Sequence, residues 1–215
     1  MAVIRPFECV RPQAEKAERV AALPYDVYNI EEACREVARE PLSFLNIDRA
    51  ETQFDSSVDT YAPEVYAKAK ELLENAIADG TFIKDSEQAY YIYELTMDGR
   101  VQTGLVACAS IDDYESNVIK KHENTRADKE LDRITHVDTC NAQTGPIFLA
   151  YRANAVINGE IDKAKKNSSL YNFVSPDGVR HQVWKISEPQ SVKAIRGAFE
   201  GISSIYIADG CLLYT

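Results

Sequence analysis

Two Asp-Gly pairs, Asp98-Gly99 and Asp177-Gly178, limit how this chain can fold more than any other feature. The first joins residues 90–96 to residues 101–110, two runs rich in aromatic and β-branched side chains. The second closes Ser175-Pro176-Asp177-Gly178 between residues 170–174 and 179–186. Asp-Gly between such runs is a strong hairpin signal, because both residues accept the positive φ that a tight two-residue turn demands. Gly99 and Gly178 are therefore read as turn glycines and not as part of a phosphate loop.

Helical signals surround the hairpins. Residues 1–30 read as an extended start punctuated by Pro6, Pro12 and Pro24, and Pro24-Tyr25-Asp26-Val27 as a turn into a helix near 31–39 that Pro41 stops. Residues 43–47 read as a short strand. Residues 61–79 place Val65, Ala69, Leu72, Leu73 and Ala76 at helical spacing, with Gly80 as C-cap. A basic helix ends near Gly145-Pro146, followed by a buried strand at 147–151, a helix over 153–166, a helix over 189–200 and a final strand at 204–208. The pattern predicts an α+β fold, with a mixed, largely antiparallel sheet and flanking helices, in a single domain over 1–215.

Composition narrows the class. Hydrophobic residues at 45% and charged residues at 27% are ordinary for a globular protein. A net charge of −10 argues against a nucleic-acid backbone or an anionic membrane as the main partner. No apolar run is long enough for a membrane span, and the first residues lack a signal-peptide core. Five scattered cysteines show no paired metal spacing, so a reducing cytoplasm is the expected location.

The chemistry concentrates in residues 119–136, which hold two of the three histidines. Thr125 followed by Asp128 has the pattern of a capping box, which sets the helix start at Thr125. Arg126, Lys129, Arg133 and His136 then fall at i, i+3, i+7 and i+10 on one helix face, while Leu131 and Ile134 point elsewhere, towards a core. A basic stripe leading from a helix N-terminus suits a phosphate group, because the unsatisfied N–H groups there already favour anions. The same stripe can instead pair with Asp128, Glu130 and Asp132 as a solvated face. Glu123, just outside the helix, is the nearby carboxylate not absorbed into its surface. His136 and Cys140 lie at i, i+4, but Arg126 stands where a His-Glu-x-x-His motif needs its second histidine, and no metal site is assigned. Cys108 reads as core, His181 as a packed structural histidine, and Tyr25 and Asp26 as turn residues.

After Asp209-Gly210 the chain runs Cys211-Leu212-Leu213-Tyr214-Thr215, an apolar tail with nothing following to cover it. A truncated or frame-shifted polypeptide is expected to look like this; a terminal strand continuing into the sheet is the alternative. An exposed edge at that point would favour a homodimer.

Two segments together carry a family resemblance. Ile119-Lys-Lys-His122-Glu123-x-Thr125-Arg126-x-x-Lys129-Glu130-x-Asp132-Arg133 resembles the central signature of a bacterial family, domain of unknown function 1015. Tyr206-Ile-Ala-Asp209-Gly210 resembles the start of its Tyr-Ile-Ala-Asp-Gly-His-His-Arg motif. Pro24-Tyr25-Asp26-Val27, Tyr90-Tyr91-Ile92-Tyr93, Gly145-Pro146-Ile147-Phe148 and Gly178-Val179-x-His181-x-x-Trp184 fit as well. The resemblance implies a ParB-like core, incomplete here at the C-terminus, related to that of archaeal free-serine kinases. It implies ATP and Mg²⁺ as cofactors and free L-serine as substrate. By that analogy Glu123 is the base for the hydroxyl, and His122 is its neighbour near the phosphates. Asp209 and Gly210 open the phosphate-binding loop, with Asp209 as a ligand or outer-shell partner of Mg²⁺. Arg126, Lys129 and Arg133 offset phosphate charge, and Thr125, Tyr25 and Asp26 fall to the substrate. Cys211, Leu212 and Leu213 replace the motif's His, His and Arg. That removes charge-assisted contacts of roughly 1.5–3 kcal/mol each, so the polypeptide alone is expected to be inactive or nearly so. The opposing expectation is a non-catalytic nucleotide- or anion-binding regulatory protein, or an inactive folded remnant.

Overall fold

The computed structural model describes residues 1–121 and 126–210. They form two compact units, each assembled from separate stretches of chain.

The first unit takes in the described parts of Met1–Val10, Lys84–Asn124 and Phe148–Asp209. Its largest sheet is antiparallel and four-stranded, in the order Arg100–Val106, Tyr90–Met97, Arg180–Ile186, Tyr171–Val174. Both hairpins form where the Asp-Gly pairs place them. Asp98 and Gly99 take φ values of 50° and 77°, and Met97 pairs with Arg100 across them, the two-residue turn whose twist matches its strands. Tyr90, Ile92, Trp184 and Ile186 are buried, as alternation along two neighbouring strands requires. Helices Ala155–Ala164 and Pro189–Glu200 pack on each other and bury Ile157, Ile161, Ile195 and Phe199. Side chains satisfy the first N–H groups of both helices: Asn154 accepts from Val156 and Ile157, and Glu188 from Gln190 and Ser191. A three-stranded sheet sets Ile205–Asp209 in the middle, parallel to Ile119–Lys120 and antiparallel to Phe148–Ala150. The fold is α+β with largely antiparallel sheets and flanking helices.

His181 is the packed histidine its alternation predicts. Its ring stacks on Phe173 at 4.9 Å and on Tyr93 at 5.9 Å, with Ser175 Oγ 2.9 Å from Nε2 and the Tyr93 hydroxyl 2.6 Å from Nδ1. Two expectations fail here. Cys108 is exposed and not core, because the long hairpin strand stops at Val106 and Cys108–Ala109 pairs only with Ile4–Arg5. Phe148 lies within the buried strand expected at 147–151 yet is 50% exposed.

The second unit takes in the described parts of Arg11–Ile83, Thr125–Ile147 and Gly210–Thr215. Its core gathers Val20, Ile47, Ala50, Val65, Ala69, Leu73, Phe82 and Cys140. Helix Ile30–Arg39 starts with a complete capping box between Asn29 and Glu32. Helix Pro63–Ala78, opened by a proline at its first turn, packs along helix Ala127–Cys140. The segment expected as a strand at 43–47 is instead helical over Leu45–Asp48. A short apolar run does not distinguish strand from helix, and Asn46 decides locally by donating its side-chain amide to the Pro41 and Ser43 carbonyls at 3.1 Å.

The basic helix differs from expectation in start, end and facing. Arg126 is its N-cap residue and no side chain caps it, since Asp128 is held by Arg126 at 2.8 Å. It stops at Cys140, short of Gly145-Pro146, because Asn141 turns left-handed with φ 49°. Its inner face is polar: Arg133 and His136 are buried, whereas Leu131 and Ile134 are 65% and 41% exposed. Among the described residues no helix is long and apolar enough to cross a membrane. This facing predicts that Leu131→Lys shifts stability by no more than about 0.5 kcal/mol, whereas Leu73→Ala costs about 2–5 kcal/mol. Urea unfolding of the two variants measures both; a large loss in Leu131→Lys would show that this face packs inward.

Candidate functional site

The inward polar face of helix Ala127–Cys140 opens on a cavity of about 550 Å³ within the second unit. Lys129, Asp132, Arg133 and His136 line it from that helix, at the spacing that stacks side chains on one face. Tyr25, Asp26 and Tyr28 come from a 3₁₀ turn that Pro24 begins, closed by a hydrogen bond from Val27 N–H to the Pro24 carbonyl at 3.2 Å. Asp48 and Arg49 come from the end of helix Leu45–Asp48, and Tyr61, Val65 and Tyr66 from the start of helix Pro63–Ala78.

Arg133 organises this wall. Its guanidinium is paired with Asp132 at 2.9 Å, with both side chains about nine-tenths buried, and lies over the Tyr25 ring at 4.5 Å. Tyr66 donates its hydroxyl to the other Asp132 oxygen at 2.8 Å, so the carboxylate is fixed from two sides. A buried guanidinium is tolerable only with such partners, and the ring face adds attraction. Arg49 holds the opposite turn: one of its nitrogens donates to the Tyr25 and Tyr28 carbonyls at 2.9 and 2.8 Å, while another pairs with Glu51 at 2.5 Å. Lys129 donates to the Tyr61 hydroxyl at 2.6 Å.

Asp48 and His136 meet on the same wall, with Oδ1 and Nε2 3.9 Å apart. Burial pushes the Asp48 carboxyl up to about 6, against the opposing pull of Arg133 and a hydrogen bond from Thr144. Burial, helped by Arg133, pushes His136 down to about 4. At neutral pH the pair is thus a carboxylate beside a neutral imidazole. Burial likewise raises the Tyr25 and Tyr66 hydroxyls above their ordinary range, so both remain protonated donors.

The structure brings together five residues singled out in the sequence: Tyr25, Asp26, Lys129, Arg133 and His136 all line one cavity. Arg126 does not join them; it is exposed and paired with Asp128, because it precedes the helix. His122, Glu123 and Thr125 lie outside the described residues. Asp209 ends strand Ile205–Asp209 in the first unit and pairs with Phe148, and Gly210 follows with φ 78°; neither lines the cavity. Sequence reasoning missed Asp48, Arg49, Tyr61 and Tyr66. No local pattern marks them, since they reach the site through packing of helices far apart in sequence.

The family model for DUF1015, proteins of unknown function, matches residues 4–211. The chain belongs to the DUF1015 family. No curated protein and no solved structure matches it. In this DUF1015 chain the cavity is where charge and burial coincide, and Lys129, Asp132, Arg133, Tyr25 and Asp26 all lie within the matched range.

The two perturbed groups give opposite pH dependences. Asp48 holds its proton more tightly folded than unfolded, so its contribution falls as pH rises from 3.8 to about 6. His136 binds its proton less tightly folded, so its contribution is lost as pH falls from 6.5 to about 4. In the wild type the two slopes offset each other. Asp48→Asn should therefore gain stability with rising pH across this window and His136→Asn should lose it, each by up to ~1.4 kcal/mol per pH unit. Urea titrations at pH 4, 5 and 6 measure this, and slopes of the same sign in both variants would sink the assignment.

Proposed function

We propose that this protein contributes the acceptor side of a small-molecule phosphotransferase. In this reading it is a ParB-like kinase that moves a phosphoryl group from ATP to a small hydroxyl compound, free L-serine by the family resemblance. The observation that carries the reading is Arg133, a buried guanidinium oriented by Asp132 and Tyr25 beside a cavity of about 550 Å³. Phosphoryl transfer asks the protein mainly for positioning and charge neutralisation. A cation already fixed in place supplies both with little reorganisation.

In this reading Arg133 and Lys129 hold the phosphoryl charge, and Tyr25 and Asp26 face the acceptor. Glu123 takes the hydroxyl proton with His122 beside it. By the family resemblance Thr125 falls to the substrate, Arg126 offsets phosphate charge, and Asp209-Gly210 opens the phosphate-binding loop. Mg²⁺ when bound would neutralise phosphate oxygens. It favours one or two carboxylate ligands and retained waters, a donor set that the exposed carboxylate of Asp209 fits.

Calorimetry with ATP·Mg²⁺ and L-serine tests binding, and phosphoserine formation tests turnover. Arg133→Gln should weaken ATP binding roughly 10- to 100-fold. Restoring the family motif through Cys211→His, Leu212→His and Leu213→Arg should raise turnover, and Glu123→Gln should then abolish it while leaving nucleotide binding. ATP bound but never consumed by the restored protein across hydroxyl substrates would favour a nucleotide-binding regulatory role instead. Failure to bind ATP at all would end the proposal.

A further inference from the structure

We infer that Asp48 is the subsite for a positively charged amino group, so that the cavity accepts a small molecule bearing a primary ammonium at Asp48 and a hydroxyl towards Arg133 and Lys129. The inference rests on reading this cavity as the acceptor site, and it names the acceptor's chemistry.

It follows from accounting for each charge on the cavity wall. Arg133 is matched by Asp132 and Arg49 by Glu51. Asp26 is exposed, so water satisfies it. Asp48 is the exception: its side chain is only 18% exposed, and its neighbour at ion-pairing distance is the His136 imidazole at 3.9 Å. Burial keeps that imidazole neutral at physiological pH, leaving Asp48 a carboxylate with a hydrogen bond from Thr144 and the more distant charge of Arg133, but with no cation at ion-pairing distance among the described residues. A carboxylate so placed has no contacting counter-charge to offset the cost of its burial, and an ammonium in the cavity supplies it. The surroundings suit that group: Tyr25, Tyr28, Tyr61 and Tyr66 line the same space, and aromatic walls attract cations, as Tyr25 and Tyr61 already do with Arg133 and Lys129.

The opposite end carries the complementary charge. Lys129 meets a tyrosine hydroxyl and has no carboxylate at ion-pairing distance among the described residues. Residues 129 and 136 are two helical turns apart, ~10 Å along the axis. The cavity is therefore polarised, negative by His136 and positive by Lys129, with Arg133 between. An amino alcohol lying along that axis puts its ammonium on Asp48 and its hydroxyl where an incoming phosphoryl group meets cations.

Calorimetry on the full chain tests this with L-serine, ethanolamine and glycerate, which replaces the ammonium of serine by a hydroxyl. L-serine and ethanolamine should bind, and glycerate should bind at least roughly tenfold more weakly. Asp48→Asn should weaken both amines by about 10- to 100-fold and leave glycerate unchanged, with its circular dichroism showing a folded protein. The wild-type ligand series decides even if that variant fails to fold. Equal binding of glycerate and L-serine, no binding of either amine, or undiminished binding in folded Asp48→Asn would each overturn the subsite. Amine selectivity without phosphoryl transfer would overturn only the kinase reading, and transfer to glycerate as readily as to serine only the ammonium subsite.

Discussion

The contact between Arg133 and Asp132 governs the second unit. A guanidinium buried on the inner face of a helix is unfavourable unless its charge and its donors are met, and every element around it answers that need. Asp132 supplies the charge, Tyr66 holds Asp132 from the neighbouring helix, and Tyr25 lays its ring under the guanidinium. Tyr25 is in turn kept in place through its carbonyl by Arg49, which Glu51 fixes. Four segments distant in sequence thus converge on one cation, and the space among their polar side chains is the cavity. The hydrophobic cluster of the same unit, which includes Ala69, Leu73, Phe82 and Cys140, supplies the non-directional part of the stability. The ion pair sets the register.

That division separates what could be read in the sequence from what could not. The hairpins were legible because Asp98-Gly99 and Asp177-Gly178 encode their turns within a few residues, and the long helices because their apolar spacing or their caps are local. The facing of helix Ala127–Cys140 was not. Hydrophobicity assigns Leu131 and Ile134 to the interior, and only the presence of Asp132, Tyr25 and Tyr66 in three dimensions makes the opposite face the buried one. Segment 43–47 was misread for a related reason, since its four-residue helix is held by Asn46 and by burial of Leu45 and Ile47. Of the site, Arg133 and Lys129 could be picked out by their shared stripe and Tyr25-Asp26 by the family segment. Asp48 carried no signal, as its importance arises from burial alone.

The inner face also shows how a cavity lined by several acids and bases stays compatible with a folded protein. Arg49 and Arg133 are neutralised within one residue or two of chain, so little conformational entropy is spent in bringing their partners close. The remaining carboxylate and imidazole have their proton affinities shifted in opposite senses, so their contributions to stability offset each other over mildly acidic conditions.

The three-stranded sheet of the first unit has a consequence for biosynthesis. Its middle strand, Ile205–Asp209, is the last of the three in the chain, and Ile119–Lys120 and Phe148–Ala150 flank it. A ribosome therefore releases both outer strands well before the one that joins them, and neither has its native partner until that strand follows. Closure must wait for a pairing that spans 86 positions between Ile119 and Ile205, the kind of long-range contact that slows folding. Until then two strand edges remain open to mispairing, so the nascent chain carries an aggregation hazard until its middle strand emerges.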